Sequence, residues 1–292
     1  MLLIGFDLMK NSINSSCIDM HIHTHFSDGT FSPKQAVEYA AKMKLSAISI
    51  TDHDCVDGIN EALDCGFLNN VEVVPGIELS SQYKSKAGEI EVHILGYYID
   101  YKSEYLKEYL DAFKKTRYNT AVKIFDKFME YGIELKNTDF ISNSKNRAVG
   151  RMHFAKALVK ENFAGSIQEA FQRYLSKGRP CYVPKSLMSV KDAVKLVLNC
   201  GGIPVIAHPY HIYYADINLF RSLIKCGFMG IEAWHIKHSA SIAKTFIDIA
   251  EKSNLLVTGG SDCHGPCGKE KPVMGEVKVP YSVLVKLKGA RK

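Results

Sequence analysis

The stretch DMHIHTHFSDGT, residues 19–30, places three histidines and two aspartates within ten positions. Together with Cys17 and Ile18 it opens as CIDMHIH, a run that reads as a β-strand. His21 and His23 then share one face, because side chains alternate along a strand. Asp28 follows in the next loop. Two imidazoles one residue apart with a carboxylate five positions later match the needs of a positive ion.

Working outward from this strand, six more short runs rich in β-branched residues recur. They are AISIT (47–51), VEVVPGIE (71–78), VHILGYY (92–98), IPVIAH (203–208), GIEAW (230–234) and LVTGGS (256–261). Helical patterns lie between most of them. SPKQAVEYAAKMK carries Ser32 as N-cap and Pro33 at the first helical position. SVKDAVKLVLNCGG carries Ser189 as N-cap and ends on Gly201. Such alternation predicts parallel strands joined by crossover helices, an α/β architecture.

The middle of the chain differs. From about Ser103 to Lys177 apolar residues recur three or four apart, in SEYLKEYLDAFKKTRYNTAVKIFDKFMEYG, RMHFAKALVKENF and SIQEAFQRYLSKG. We therefore expect a β/α barrel over residues 17–100 and 186–292, interrupted by a helical insert over 101–185. RPCYVP (179–184) would return the chain to the barrel, and residues 1–16 form an extension without a motif.

Length and composition fit that plan. The 292 residues suffice for one large α/β domain with an insert, and 46% apolar against 23% charged residues argues against disorder. No run of 18 apolar residues occurs, MLLIGFDLMK lacks the marks of a signal peptide, and the eight cysteines form no CxxC pair. The expectation is a soluble cytoplasmic protein with reduced thiols, no membrane association and no obligate protein partner. The net charge of +6 is uneven: residues 101–190 hold 17 Lys+Arg against 9 Asp+Glu, and the remainder 20 against 22. A basic insert fits an anionic substrate, although a solvated helical face has the same composition.

The unusual polar residues collect at the strand ends. His21, His23 and Asp28 belong to the first strand, Asp52 and His53 to the second, and Glu78 to the third. His93 belongs to the fourth, His208 to the fifth, Glu232 and His235 to the sixth, and Asp262 and His264 to the seventh. In a β/α barrel the loops at the C-terminal strand ends converge on one site. Mixed imidazole and carboxylate donors suit manganese, iron or zinc better than magnesium or calcium. So many donors imply two or three ions sharing carboxylates, the arrangement that serves in-line displacement at phosphorus.

At this point DMHIHTHFSDG, ITDHD, PGIELS, VHILGY, AHP, GIEAWHIKHS and GGSDCHG resemble, in order, the motifs of the PHP (polymerase and histidinol phosphatase) superfamily. The resemblance runs over nearly the whole chain. It is strongest to small phosphoesterases acting on nucleoside monophosphates and 3′,5′-bisphosphates, whose insert carries a GRPHIA-like stretch, here GRMHFA. It implies a distorted seven-stranded TIM-like barrel around a trinuclear metal centre. On that resemblance His21, His23, Glu78 and Asp262 hold a first ion. Glu78, His93 and His208 hold a second, and Asp28, His53 and His264 a third. Three departures, Cys55 for threonine, Met152 for proline and the cysteines at 263 and 267, remove no ligand.

The resemblance also places Arg151 and His153 over the site. A guanidinium suits a phosphate dianion, although Arg151 could equally cap its helix. Arg147 is a weaker candidate. His235 and His238 are candidates to contact phosphate or to protonate the leaving group. His25 reads as structural and His211 as a surface residue. The expected activity is hydrolysis of phosphate monoesters of small nucleotides by attack of a metal-bridging hydroxide on phosphorus, with Mn2+ favoured over Fe2+ or Zn2+. The alternatives are a 5′→3′ exoribonuclease on short RNA, a histidinol phosphatase, and a non-catalytic nucleic-acid-binding protein. The last predicts missing ligands and a strongly basic chain.

Overall fold

The computed structural model describes residues 16–85, 88–136, 138–142, 149–184, 187–266 and 270–291. Arg147, Cys267 and nearly all of the N-terminal extension lie outside the described residues. All seven predicted strands are present: β1 (Cys17–Ile22), β2 (Leu45–Ile50), β3 (Glu72–Ser85), β4 (Gly88–Tyr97), β6 (Ile203–Ile206), β7 (Gly230–His235) and β8 (Leu256–Gly260). Two two-residue strands, β5 (Met188–Ser189) and β9 (Val279–Pro280), join them.

The strands run in the order β8-β7-β6-β4-β3-β2-β1-β9, with β5 added against β3. The sheet curls into a nearly closed barrel. At the seam, His23 N–H donates to the Cys263 carbonyl at 2.9 Å and Cys263 N–H to that of His21 at 3.3 Å. Gly260 permits this approach, since a Cβ there would collide with the Cβ and backbone nitrogen of His21.

The expectation of parallel strands throughout is corrected at one place. β1, β2 and β3 are mutually parallel, as are β6, β7 and β8, but β4 is antiparallel to both β3 and β6. The physical reason is the connection. Only residues 86–87 separate β3 from β4, and a parallel pairing needs a crossover of a dozen residues or more. Both strands also outrun their predicted ends, so Glu78 lies in mid-strand rather than at the end of β3.

The crossover helices form where their caps predict. Ser32 Oγ accepts from Gln35 N–H while the Gln35 side chain accepts from Ser32 N–H, a closed capping box ahead of the helix Pro33–Lys42. Ser189 Oγ accepts from Asp192 N–H at 3.2 Å and starts Val190–Asn199. Ile18, Met20, Val74, Leu95, Tyr97 and Val205 pack together beneath the strand ends that carry the histidines. The Tyr97 hydroxyl reaches the Met20 carbonyl at 2.9 Å. Rigid strands therefore carry the polar side chains described below.

The chain divides into two compact units, Met1–Leu106 with Met188–Lys292, and Lys107–Leu187. The second unit is helical: most of Glu104–Glu130, then Asp139–Ser142, Arg151–Lys160, and Ile167–Ala170 continuing as a π-helical turn over Phe171–Leu175. Its core gathers Phe128, Phe154, Leu158 and Leu175, with Phe140 edge-on to Phe154 at 5.0 Å between ring centres. Cys181 and Val183 belong to this same core, so RPCYVP packs with the helices. Of the aromatic residues at helical spacing, Phe113 and Phe128 are buried, whereas Tyr105 is exposed. No helix among the described residues is long and apolar enough to cross a membrane.

Candidate metal centre

The strand β1 aims two imidazoles inward. His21 and His23 are both fully buried, with Ile22 between them facing the outer apolar layer. The loop after β1 is held by Asp52, whose carboxylate accepts from Thr24 N–H (2.7 Å), Thr24 Oγ1 (2.6 Å) and the Ser27 hydroxyl. That loop delivers Asp28. Just past β2, His53 bridges to Glu78 of β3. Asp54 N–H donates to the Glu78 carbonyl at 2.9 Å, locking the two segments together. The antiparallel β4 brings His93 opposite Ser80, and β6 leads to His208. Asp262, with φ +56°, and His264 follow β8.

Five of these nine side chains converge on a sixth, Glu78, which is almost fully buried. Its Oε1 lies 3.0 Å from both His93 Nδ1 and His208 Nε2. Its Oε2 lies 3.1 Å from His23 Nε2 and His53 Nδ1 and 3.3 Å from His21 Nε2. One carboxylate is thus ringed by five imidazole nitrogens. Asp262 Oδ1 stands 3.2 Å from His23 Nε2, and Asp28 Oδ1 3.1 Å from His264 Nε2. His21 Nε2 and His23 Nε2 face each other at 3.1 Å.

Charge balance perturbs several of these groups. Burial works against ionising Glu78, but His53, His21 and His93 outweigh it and hold the carboxyl well below the usual range. Asp262 and Asp28 are likewise depressed, burial being overcome by His21 and His23 for the first and by His53 and His264 for the second. Burial also opposes protonation of His23, yet Asp262 and Glu78 carry its pKa up to about 10. The same contest, won by Glu78 and Glu91, carries His93 up to about 9. His53 goes the other way, driven well down by burial and by the cations of His23 and His93.

A cation fits this arrangement. Glu78 Oε2 and His53 Nδ1 are buried 3.1 Å apart, and neither has a hydrogen-bond partner among the described residues. Lone pairs that approach without a shared proton are what a divalent ion satisfies. The donor atoms fall into four groups, each within 4.8 Å: His23, Asp28, His53 and His264; His21, Glu78 and His208; His21, His23 and Asp262; His53, Glu78 and His93. All nine residues proposed from sequence as ligands belong to at least one group, and Glu78, His21, His23 and His53 are shared.

The remaining candidates scatter. His235 lies at the end of β7, buried, with Nε2 3.4 Å from Asp262 Oδ2. His238 turns Nδ1 onto the Ala233 carbonyl at 2.7 Å, and burial lowers its pKa. Arg151 and His153 open the helix Arg151–Lys160 of the second unit. There His153 Nδ1 accepts from Gly150 N–H at 3.2 Å, and the Arg151 guanidinium lies 5.5 Å from the Tyr182 ring centre. His25 stacks on Phe26, and His211 is exposed. Asp52 supports its loop and belongs to no donor group.

Sequence reasoning left Glu232 without a role. It is fully buried, with Oε1 2.9 Å from His21 Nδ1 and Oε2 accepting from His208 N–H at 2.6 Å. Asp19 was also passed over; it accepts from the backbone N–H groups of Ser261 (2.8 Å) and Gly275 (3.2 Å). An acidic residue at an inward position of a buried strand was the available signal for both.

Imidazole and carboxylate donors clustered in a distorted β/α barrel suit the hydrolysis of phosphate esters. Residues 19–183 match the PHP domain, and this chain belongs to that family. Among its relatives are two that are 30% identical. One is a phosphoribosyl 1,2-cyclic phosphate 1,2-diphosphodiesterase of Eggerthella lenta, over 86% of this chain and 95% of the relative. The other is a 3′,5′-nucleoside bisphosphate phosphatase of Chromobacterium violaceum, over 85% and 87%. A 5′-3′ exoribonuclease of Escherichia coli is 28% identical over 85% of each chain. A solved chain from Bifidobacterium adolescentis, described as a candidate metal-dependent phosphoesterase, superposes with a TM-score of 0.79 at 25% identity. It covers 94% of this chain and 96% of that one. The chain is accordingly a PHP-family phosphoesterase, a hydrolase of phosphate esters.

Proposed function

We propose that this protein is a metal-dependent phosphomonoesterase of small nucleotides, releasing phosphate from a nucleoside 3′,5′-bisphosphate or from a mononucleotide such as AMP. The observation that carries the reading is Glu78, a single buried carboxylate within 3.3 Å of five imidazole nitrogens. His21, His23, Asp28, His53, Glu78, His93, His208, Asp262 and His264 would hold two or three divalent ions, manganese first among them. Such ions supply a water of lowered pKa as nucleophile and neutralise charge on the attacking and leaving oxygens.

The protein's own groups do the rest. His21, Glu78 and His93 stand within strands and hold the centre of the donor cluster in place, so little reorganisation is needed when a phosphate enters. His235, beside Asp262, is the side chain proposed to return a proton to the leaving oxygen. Arg151 and His153 of the insert, with His238, are proposed to steady phosphoryl oxygens. The guanidinium offers the forked donors that a dianion needs. The bisphosphate phosphatase relative supports the choice of a small nucleotide.

The test is a phosphate-release screen of the manganese-loaded protein on a nucleoside 3′,5′-bisphosphate, AMP and histidinol phosphate. A 5′-phosphorylated oligoribonucleotide is incubated in parallel. Release from a nucleotide with the oligonucleotide left at full length is the expected outcome. Stepwise shortening of the oligonucleotide establishes the exoribonuclease reading, which the Escherichia coli relative supports. No turnover of any of them defeats both.

A further inference from the structure

Glu232 touches two of the proposed ligands from behind, by two different kinds of contact. Its Oε1 is 2.9 Å from His21 Nδ1, and its Oε2 accepts from the backbone N–H of His208 at 2.6 Å. His21 Nε2 is then the nitrogen left facing Glu78, His23 and Asp262, at 3.3, 3.1 and 3.5 Å. His208 has φ +27°, a backbone conformation that a side-chain-bearing residue rarely adopts unless something holds it there. Holding it places His208 Nε2 at 3.0 Å from Glu78 Oε1. His21, Glu78 and His208 together form one of the four donor groups.

We propose that Glu232 is the positioning residue of the donor groups that contain His21 or His208. It keeps the His21 proton on Nδ1, so that the Nε2 lone pair faces the ions, and it pins the His208 backbone so that its ring reaches the same place. The proposal rests on the metal centre described above. It goes further in predicting that the sites are set unequally. The group His23, Asp28, His53 and His264 contains neither residue that Glu232 holds.

The chemistry demands a carboxylate. Both of its oxygens accept, one from an imidazole N–H and one from an amide N–H. A glutamine offers one accepting oxygen and puts an NH2 donor against the other N–H. Glu232→Gln therefore keeps the shape while breaking one of the two contacts. Removing an outer partner of a ligating histidine typically weakens metal affinity by about 10–100-fold.

The experiment is a manganese titration of the chelator-stripped full-length protein, wild type and Glu232→Gln, following the paramagnetic signal of free Mn2+. Thermal melts confirm that the variant folds. We expect the variant to lose about 10–100-fold in affinity at one class of site, with the remaining class within about threefold of wild type. Equal affinities in the two proteins overturn the proposal, as does uniform weakening of every site. A wild type that binds no manganese overturns the metal centre itself, and this inference with it. A second measurement needs no variant: nitrogen NMR of the zinc-loaded wild type. It should show His21 protonated on Nδ1 and bound through Nε2. A proton on Nε2 refutes the positioning role even where the variant cannot be made.

Discussion

Stripping the protein of metal and raising the pH should destabilise it, and His23, with His21 and His93 acting in the same direction, gives a lower bound on the effect. Its pKa in the ion-free fold is about 10 against an ordinary 6.5. A group raised on folding contributes stability that is complete below pH 6.5 and is lost as the pH climbs to about 10. At 1.36 kcal/mol for each pH unit, the whole contribution is about 5 kcal/mol, of which about 2.5 kcal/mol disappears between pH 7 and 9. For 292 residues, an unfolding entropy of about 2.1 cal/mol/K per residue turns this into a fall of about 4 °C in Tm. His93, held up to about 9, pushes in the same direction.

Bound ions reverse the sign. They require neutral imidazoles, so each ion must displace the protons that Glu78 and Asp262 retain on the histidines. Manganese should therefore raise Tm more at pH 9 than at pH 7, and its binding should release protons into a weakly buffered solution. The assay is differential scanning calorimetry of chelator-treated and manganese-loaded protein across that range, with His23→Asn as reference. An ion-free Tm that does not move with pH refutes the reasoning. So does a fall of equal size in His23→Asn, because the titrating group would then lie elsewhere.

Two further outcomes are expected. Arg151→Ala should raise KM for the nucleotide found in the release screen by roughly 10–100-fold, the worth of a hydrogen bond to a charged group. Manganese affinity should stay unchanged, and steady-state kinetics beside a metal titration checks both. Gly260→Ala should press a methyl group against His21, costing about 1–3 kcal/mol of stability by overpacking. It should also weaken manganese binding, and an unaltered melt and titration would contradict the close seam between β8 and β1.

The donor types and, for all but Glu78 and His93, their positions near strand ends were legible in the sequence because each depends on local information. The alternation in CIDMHIH puts His21 and His23 on one side, and ITDHD and GGSDCHG attach donors to the ends of apolar runs. The caps at Ser32 and Ser189 are equally local, and both form as read. The reversal of β4 was missed because Gln82–Ser85 and Gly88–Glu91 look polar and turn-like, although they pair with each other as antiparallel strands. Polarity on a partly exposed strand pair imitates a loop.

Which donors come within reach of one another, and which carboxylates stand behind them, only the tertiary structure decided. Glu78 and Glu232 are the same residue type on inward-facing strand positions, and nothing local separates them. One is ringed by five imidazoles, while the other turns to the far nitrogen of His21 and the amide of His208. Strand periodicity determines which face a side chain takes. The angle at which seven strands close determines which side chains meet there, and that angle comes from pairings far apart in the chain.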